Sequence, residues 1–132
     1  MSAWNKETVE QAKKNLEGAE LKGLDLSGAN LNNANLISAN LVSANLSGSD
    51  LSGAKIFSAK AMRADFSNAN LSGANLQKAN LTLANLEGAN LNSADLSDAN
   101  LFDANLRSAT MTNSYFCKTK MPDGKINNSS CN

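Results

Sequence analysis

The chain has no histidine, two cysteines and one proline among its 132 residues, and aromatic side chains make up only 5% of it. Each shortage excludes something. Without histidine, the commonest general base and the commonest metal ligand are missing, so hydrolytic and metal chemistry lose their usual participants. The two cysteines are too far apart for a C-x-x-C motif, which argues against a catalytic dithiol. Neither charge sign is in excess, since 12 basic residues balance 12 acidic ones, and nothing announces a nucleic acid partner. No stretch approaches the roughly 20 consecutive apolar residues that a membrane-spanning helix needs. The opening Met1-Ser2-Ala3-Trp4-Asn5 carries no hydrophobic signal segment, so a soluble chain without a membrane partner is expected, although a Met1 added to a mature domain would look the same as a native start. No phosphate loop, zinc spacing or calcium-binding nonapeptide is present, and the many serines have no histidine to activate them. The expectation is a non-enzyme with no catalytic, cofactor-binding or metal-binding residue and no cofactor.

What the sequence does have is a period of five. From Leu21 a large apolar residue recurs every fifth position through Leu26, Leu31 and Leu36 to Leu106, Met111 and Phe116, and only Ala61 interrupts the series. Over the 17 units centred on residues 26 to 106, the position two before the centre is Ala in 15, and the position just before it is Asn or Asp in 15. Such internal repetition is the signature of a solenoid.

A five-residue period fits neither regular element. In a helix each residue turns about 100°, so successive leucines would fall roughly 140° apart and smear around the cylinder. In a flat strand an odd period would send them to opposite faces. The backbone must therefore bend once per unit. If each bend is about a right angle, four units close a coil of 20 residues, and every leucine and alanine points to the axis while the other three positions face water. Coils then stack at about 4.8 Å, with opposed walls about 10 Å apart, a lumen that leucine alternating with alanine can fill.

The run Ala29-Asn30-Leu31-Asn32-Asn33-Ala34-Asn35-Leu36 and its continuation resemble the pentapeptide repeat proteins, over about residues 19 to 118. The resemblance implies an all-β solenoid, a right-handed quadrilateral β-helix of about five coils, and is greatest with small cyanobacterial and chloroplast members, some of them in the thylakoid lumen. Other members mimic duplex DNA and protect type II topoisomerases. That role needs a strongly acidic surface, since B-DNA carries a phosphate about every 1.7 Å of axis. Residues 21 to 110 hold seven acids against six bases, a net charge of −1, and the rod would be only roughly 24 Å long at the stacking distance. A small rigid scaffold or protein-binding module fits better than a DNA mimic. A regular hydroxyl wall of the ice-binding kind is also disfavoured, because the column Ser27, Ser47, Ser67 ends in Glu87 and Arg107.

Departures from the repeat are where specificity should lie. Ala61 removes about three heavy atoms from the core, a change that ordinarily costs a few kcal/mol. Phe66 in the next unit is larger than leucine and is expected to fill that volume; ordinary core variation is the alternative. Nearby, Lys55, Lys60 and Arg63 replace neutral residues, as a solvated face or an anion site. Every twentieth residue stacks on one wall. The position after the centre reads Lys22, Val42, Met62, Thr82, Phe102 on one wall and Ile37, Phe57, Gln77, Ser97 on the next. Ile37, Val42, Phe57 and Met62 are therefore expected to form a partly exposed apolar patch, which marks a partner surface or only shields turns. A protein partner, and a monomer or weak dimer, follow from it.

Solenoid ends expose strand edges that need covering. Residues 1–18 read as an N-terminal capping helix from Asn5 to about Glu17, with Asn5 or Thr8 as N-cap, Thr8 to Gln11 as a capping box, and Trp4, Val9, Ala12 and Leu16 on the first coil. Residues 19–118 read as the β-helix, whose consensus decays after Ala109. Residues 119–132 read as a capping tail with a turn at Met121-Pro122-Asp123-Gly124. Cys117 and Cys131 either form a disulfide across this tail, implying an oxidising compartment such as the periplasm or thylakoid lumen, or remain free thiols in a reducing cytosol.

Overall fold

A computed structural model describes residues 4–132, and Met1, Ser2 and Ala3, with the reading of the chain's start, lie outside the described residues. Each five-residue unit makes one turn. The centre's carbonyl accepts from the amide three residues on, as in Ala29 N–H to Leu26 O at 3.1 Å and Ala34 N–H to Leu31 O at 3.0 Å. The second residue after the centre has φ near +60°, whether it is Gly28 (66°), Asn33 (58°) or Leu83 (63°). A single left-handed residue at the third place of a four-residue turn defines type II, and this is the bend that the period required. Four such turns bring the chain back over itself: parallel bridges join residues 20 apart, from Glu20–Asn40 to Asn100–Lys120. Centre residues such as Leu26, Leu31 and Leu36, and alanines such as Ala29 and Ala34, are wholly buried inside.

Following the backbone amides explains the third consensus residue. In the unit around Leu46, the Leu46 N–H reaches Asp65 O in the next coil at 2.7 Å, the Asn45 N–H reaches back to Leu24 O at 2.9 Å, and the Gly48 N–H reaches Ser67 O at 2.9 Å. The amide of the residue two before the next centre closes the turn. Only the amide directly after the centre has no main-chain acceptor, and an unpaired N–H is costly. The Asn or Asp two residues earlier supplies one: Ser47 N–H donates to Asn45 Oδ1 at 3.0 Å, and Ser72 N–H to Asn70 Oδ1 at 3.0 Å. Of the 17 such amides from Ser27 to Arg107, 15 are capped in this way. The expectation that this position merely faces water is thus corrected; its oxygen is turned onto the backbone, which selects Asn and Asp over other polar residues.

Two of the caps give acid sensitivity. Ser27 and Ser52 donate both hydroxyl and amide to Asp25 Oδ1 and Asp50 Oδ1, and these hydrogen bonds, the hydroxyl first, hold both carboxyls below 3.8. A carboxyl whose pKa falls on folding stabilises the folded chain above its unfolded value, and the contribution is lost as pH drops through the depressed folded value. Urea midpoints are therefore expected to fall as pH is lowered below 3.8. Asp50→Asn keeps the acceptor oxygen but cannot titrate, so its midpoint should fall less steeply in that window; a slope unchanged from the wild type would contradict this origin.

Hydroxyls are accommodated inside by the same accounting. Ser49 occupies an alanine position with 1% exposure, and its Oγ donates to Leu46 O at 2.7 Å. Ser114 Oγ and Thr119 Oγ1 donate to Leu91 O and Leu96 O, each at 2.7 Å.

At the N-terminal end, α1 (Lys6–Gln11) is shorter than expected. Its N-cap is Asn5, and the reciprocal box pairs Asn5 with Thr8, not Thr8 with Gln11; Gln11 instead donates to Glu7 Oε1. The helix stops because the following residues are drawn into the ladder. Lys13–Asn15 form a single 3-10 turn, Lys13 O accepts from Asn35 N–H at 2.7 Å, and Leu16 N–H donates to Asn35 O at 3.0 Å. Side chains complete the contact: Lys6 Nζ donates to Ser27 O, and Glu10 Oε2 accepts from Asn30 N–H. Val9 and Leu16 are buried, with Trp4 and Ala12 packed against the core.

At the other end, the ladder does not stop where the consensus weakens. Thr110, Tyr115 and Lys120 still donate their amides to Ala89, Ala94 and Ala99. β1 (Thr119–Lys120) then pairs antiparallel with β2 (Ile126–Asn127) across the Met121–Gly124 turn, which Gly124 N–H closes on Met121 O at 2.8 Å. Cys117 and Cys131 form a disulfide, with Cα atoms 4.9 Å apart.

Candidate interaction face

Among the 17 units centred on residues 26 to 106, the two without an Asn or Asp cap are adjacent, at Lys55 and Lys60. An ammonium has three donors and no acceptor, so the amides of Phe57 and Met62 lose the side-chain partner that Ile37 N–H finds in Asn35 (3.2 Å) and Val42 N–H in Asn40 (3.1 Å). The same turns bring the expected four apolar residues into two adjoining columns. Ser38 N–H to Phe57 O (2.9 Å) sets Phe57 beneath Ile37, and Ser43 N–H to Met62 O (3.0 Å) sets Met62 beneath Val42. All four are half-buried. Lys78 lies over the Phe57 ring, with Nζ 5.6 Å from its centroid. Behind them, Ala61 and Phe66 are both fully buried.

The most exposed large apolar side chains are others: Leu83 (44%) and Phe102 (42%), further along the wall that carries Val42 and Met62, and Tyr115 (40%) and Ile126 (54%) towards the C-terminus. Sequence reasoning named none of these as a surface. For Leu83 the signal was available, because it stands at the left-handed turn position, where Gly, Ser, Asn, Asp, Lys and Arg otherwise occur, and that position points away from the core. Leu83 N–H donates to Phe102 O at 2.9 Å, and the Phe102 ring in turn lies against the backbone of Gly124. Phe102 therefore serves the docking of the C-terminal turn.

A shallow open depression of about 360 Å³ lies between α1 and the first coil, lined by Glu7, Glu10, Gln11, Lys13 and Asn30. Its polar groups are largely engaged with one another, since Glu10 accepts from Asn30 N–H, Gln11 Nε2 donates to Glu7 Oε1 at 3.4 Å and Lys13 Nζ donates to Asn30 Oδ1 at 3.5 Å. Among the described residues no three His, Cys, Asp or Glu side chains gather as a metal site, and no helix is long and apolar enough to cross a membrane.

A consequence for stability follows from the missing caps. Lys60→Asn is expected to supply an acceptor to Met62 N–H and to raise stability by about 0.5–1.5 kcal/mol, the usual net worth of a hydrogen bond. Urea denaturation measures it, and a midpoint at or below that of the wild type would show that the Met62 amide gains nothing from a cap.

These features place the chain among known proteins. The family profile for pentapeptide repeats matches residues 15–54 and 62–101 in 8 copies. Its gap, residues 55–61, contains Lys55 and Lys60. No curated protein matches the sequence. Among solved structures, a pentapeptide repeat protein from the thylakoid lumen of Arabidopsis thaliana is 27% identical with a TM-score of 0.60, over 96% of this chain and 76% of that one. One from the cyanobacterium Nostoc is 30% identical with a TM-score of 0.51, over 80% of this chain and 70% of that one. Another, from the cyanobacterium Cyanothece, is 40% identical over 76% of this chain and 63% of that one, with a TM-score of 0.46. With the repeat matched over more than half its length, and with the right-handed quadrilateral β-helix of its structural neighbours, the chain belongs to the pentapeptide repeat family.

Proposed function

We propose that the protein is a non-catalytic, rigid protein-binding module that holds its partner on the two walls carrying Ile37, Val42, Phe57 and Met62. The observation that carries this reading is local. Between residues 26 and 106, the two units that abandon the cap are those whose turns bear Phe57 and Met62, so backbone satisfaction was given up at two of the four apolar positions of this face, while Ile37 and Val42 keep theirs. Proteins tend to tolerate such losses at functional sites. About five coils form the rod, with α1 and the β1–β2 hairpin as caps against end-to-end growth. The Cys117–Cys131 bond, and the lumenal source of the Arabidopsis neighbour, support an oxidising compartment. The near-neutral surface speaks against a DNA mimic acting on a topoisomerase.

The reading is tested by comparing the wild type with Phe57→Ser combined with Met62→Ser. Both side chains are half-buried on the outside, so the fold should survive, as circular dichroism would verify. The expected result is that a protein captured from the source organism by the wild type is lost by the double variant. Capture of the same proteins by both would sink this reading, while sedimentation shows whether a second copy of the chain is the partner.

A further inference from the structure

The neutrality of the chain conceals a segregation of charge. Residues 35–43, 55–63 and 75–83 form three consecutive layers on the two adjoining walls, joined through the bridges Asn35–Lys55–Asn75 and Asn40–Lys60–Asn80. The only charged residues in these layers are Lys55, Lys60, Arg63 and Lys78, all cations and all exposed. No carboxylate pairs with any of the four among the described residues. The layers on either side reverse the sign, with Glu17 and Glu20 beside Lys22 at one end and Asp95, Asp98 and Asp103 at the other.

In the middle layer sit two amides, Phe57 N–H and Met62 N–H, that have no acceptor among the described residues. Each Lys in place of Asn or Asp does two things at one point: it frees a main-chain donor and adds a cation beside it. Both changes favour an anionic oxygen arriving from outside, and a charge-assisted hydrogen bond to a backbone N–H is stronger than a neutral one. The half-buried Ile37, Val42, Phe57 and Met62 adjoin the same turns and offer apolar contact. A phosphate chain has no side chains to use them. The acidic layers at both ends would moreover repel a continuous polyanion while leaving room for a short segment across the middle.

We propose that this face binds an acidic polypeptide segment, whose carboxylates accept from the Phe57 and Met62 amides in place of the missing caps and pair with Lys55 and Lys60, while its apolar side chains lie against Phe57 and Met62. This rests on the reading of the face as a protein-binding surface and names the chemistry of the partner. Lys78, held over the Phe57 ring, keeps its charge at the edge of the apolar contact.

The full chain, labelled with ¹⁵N, would be titrated with a peptide of alternating aspartate and leucine, with its asparagine–leucine and lysine–leucine counterparts, and with a short DNA duplex. The aspartate peptide is expected to bind, to move the Phe57 and Met62 amide protons downfield, and to weaken by about tenfold or more between roughly 50 and 300 mM salt. Lys55→Asn with Lys60→Asn refills both caps and removes both cations, so affinity should fall about tenfold or more in a protein that melts no lower than the wild type. Lys55→Ala with Lys60→Ala leaves the amides open and should retain part of the binding and the amide shifts. Equal binding of the asparagine peptide, unaffected by the Asn variants, overturns the acidic partner and leaves an apolar binding face. Preference for the duplex, or a dimer that the Asn variants dissociate without any peptide, overturns it in favour of those occupants. Failure of every peptide also overturns it, and the binding-module reading then stands or falls separately on whether Phe57→Ser with Met62→Ser loses a captured partner.

Discussion

Replacing Phe66 with alanine is expected to cost about 3–5 kcal/mol, a large share of the roughly 5–15 kcal/mol by which an ordinary domain is stable. The ring is fully buried, and Ala61, one unit earlier in the same coil, is fully buried too. The wild-type coil already lacks one large centre residue, so Phe66→Ala would place two alanines in succession where leucine normally fills the lumen. Urea denaturation followed by circular dichroism reads the loss. The size of the effect alone does not say what the ring does; a cycle does. If the ring occupies volume vacated at Ala61, Ala61→Leu by itself should overpack the coil and cost about 1–3 kcal/mol. Phe66→Leu alone should leave a void, and the pair together, which restores two leucines, should cost much less than the singles added. Effects that simply add would mean that the two sites pack independently.

The wall assignments were legible because a period of five leaves one solution. It excludes helix and strand by arithmetic, and once four turns close a coil, every residue's wall follows from its number. That is how Ile37, Phe57, Val42 and Met62 could be placed in two columns before any coordinates. The role of the Asn and Asp residues was not legible, although their frequency was. Which amide needs the oxygen becomes visible only after the ladder has used the others, as around Asn45, where Leu46 N–H points forward, Asn45 N–H points back and Ser47 N–H is left over. For the same reason Lys55 and Lys60 read from sequence only as charges, whereas the fold shows that they also remove two caps. The end of α1 was misplaced because Lys13 and Leu16 have ordinary helical propensities; the pull on them comes from Asn35, 19 residues beyond Leu16, whose amide and carbonyl both need partners. At the far end, side-chain consensus was a poor guide to the backbone. Ser114 and Thr119 depart from alanine, yet their hydroxyls find carbonyls and the ladder runs on to Lys120.

Reducing the Cys117–Cys131 bond, or replacing Cys131 with serine, is expected to cost about 3 kcal/mol in the chain-entropy model, given a sequence separation of 14. Intact mass establishes the bridge first, since reduction adds two hydrogens, and urea midpoints with and without reductant give the cost. The loss should begin locally. Beyond the disulfide, the tail is held by Ser130 N–H on Phe116 O at 2.8 Å, by Phe116 N–H on Ser130 Oγ at 3.0 Å and by Lys118 N–H on Asn128 Oδ1 at 2.8 Å. These bonds lie in exposed or half-exposed surroundings, where water competes for them. Thr119 and Lys120, in contrast, are anchored independently: Thr119 is wholly buried, and Lys120 exchanges bonds with Ala99 and Leu101. Hydrogen exchange in the reduced protein should therefore quicken at Lys118 and Ser130 while Leu101 and Lys120 stay protected. If those two quicken equally, the staple holds the last coil itself, and the hairpin is part of the rod's cooperative core. If the midpoint does not move at all, the tail's hydrogen bonds suffice without the bridge, and the covalent link contributes nothing to closing the strand edge at this end.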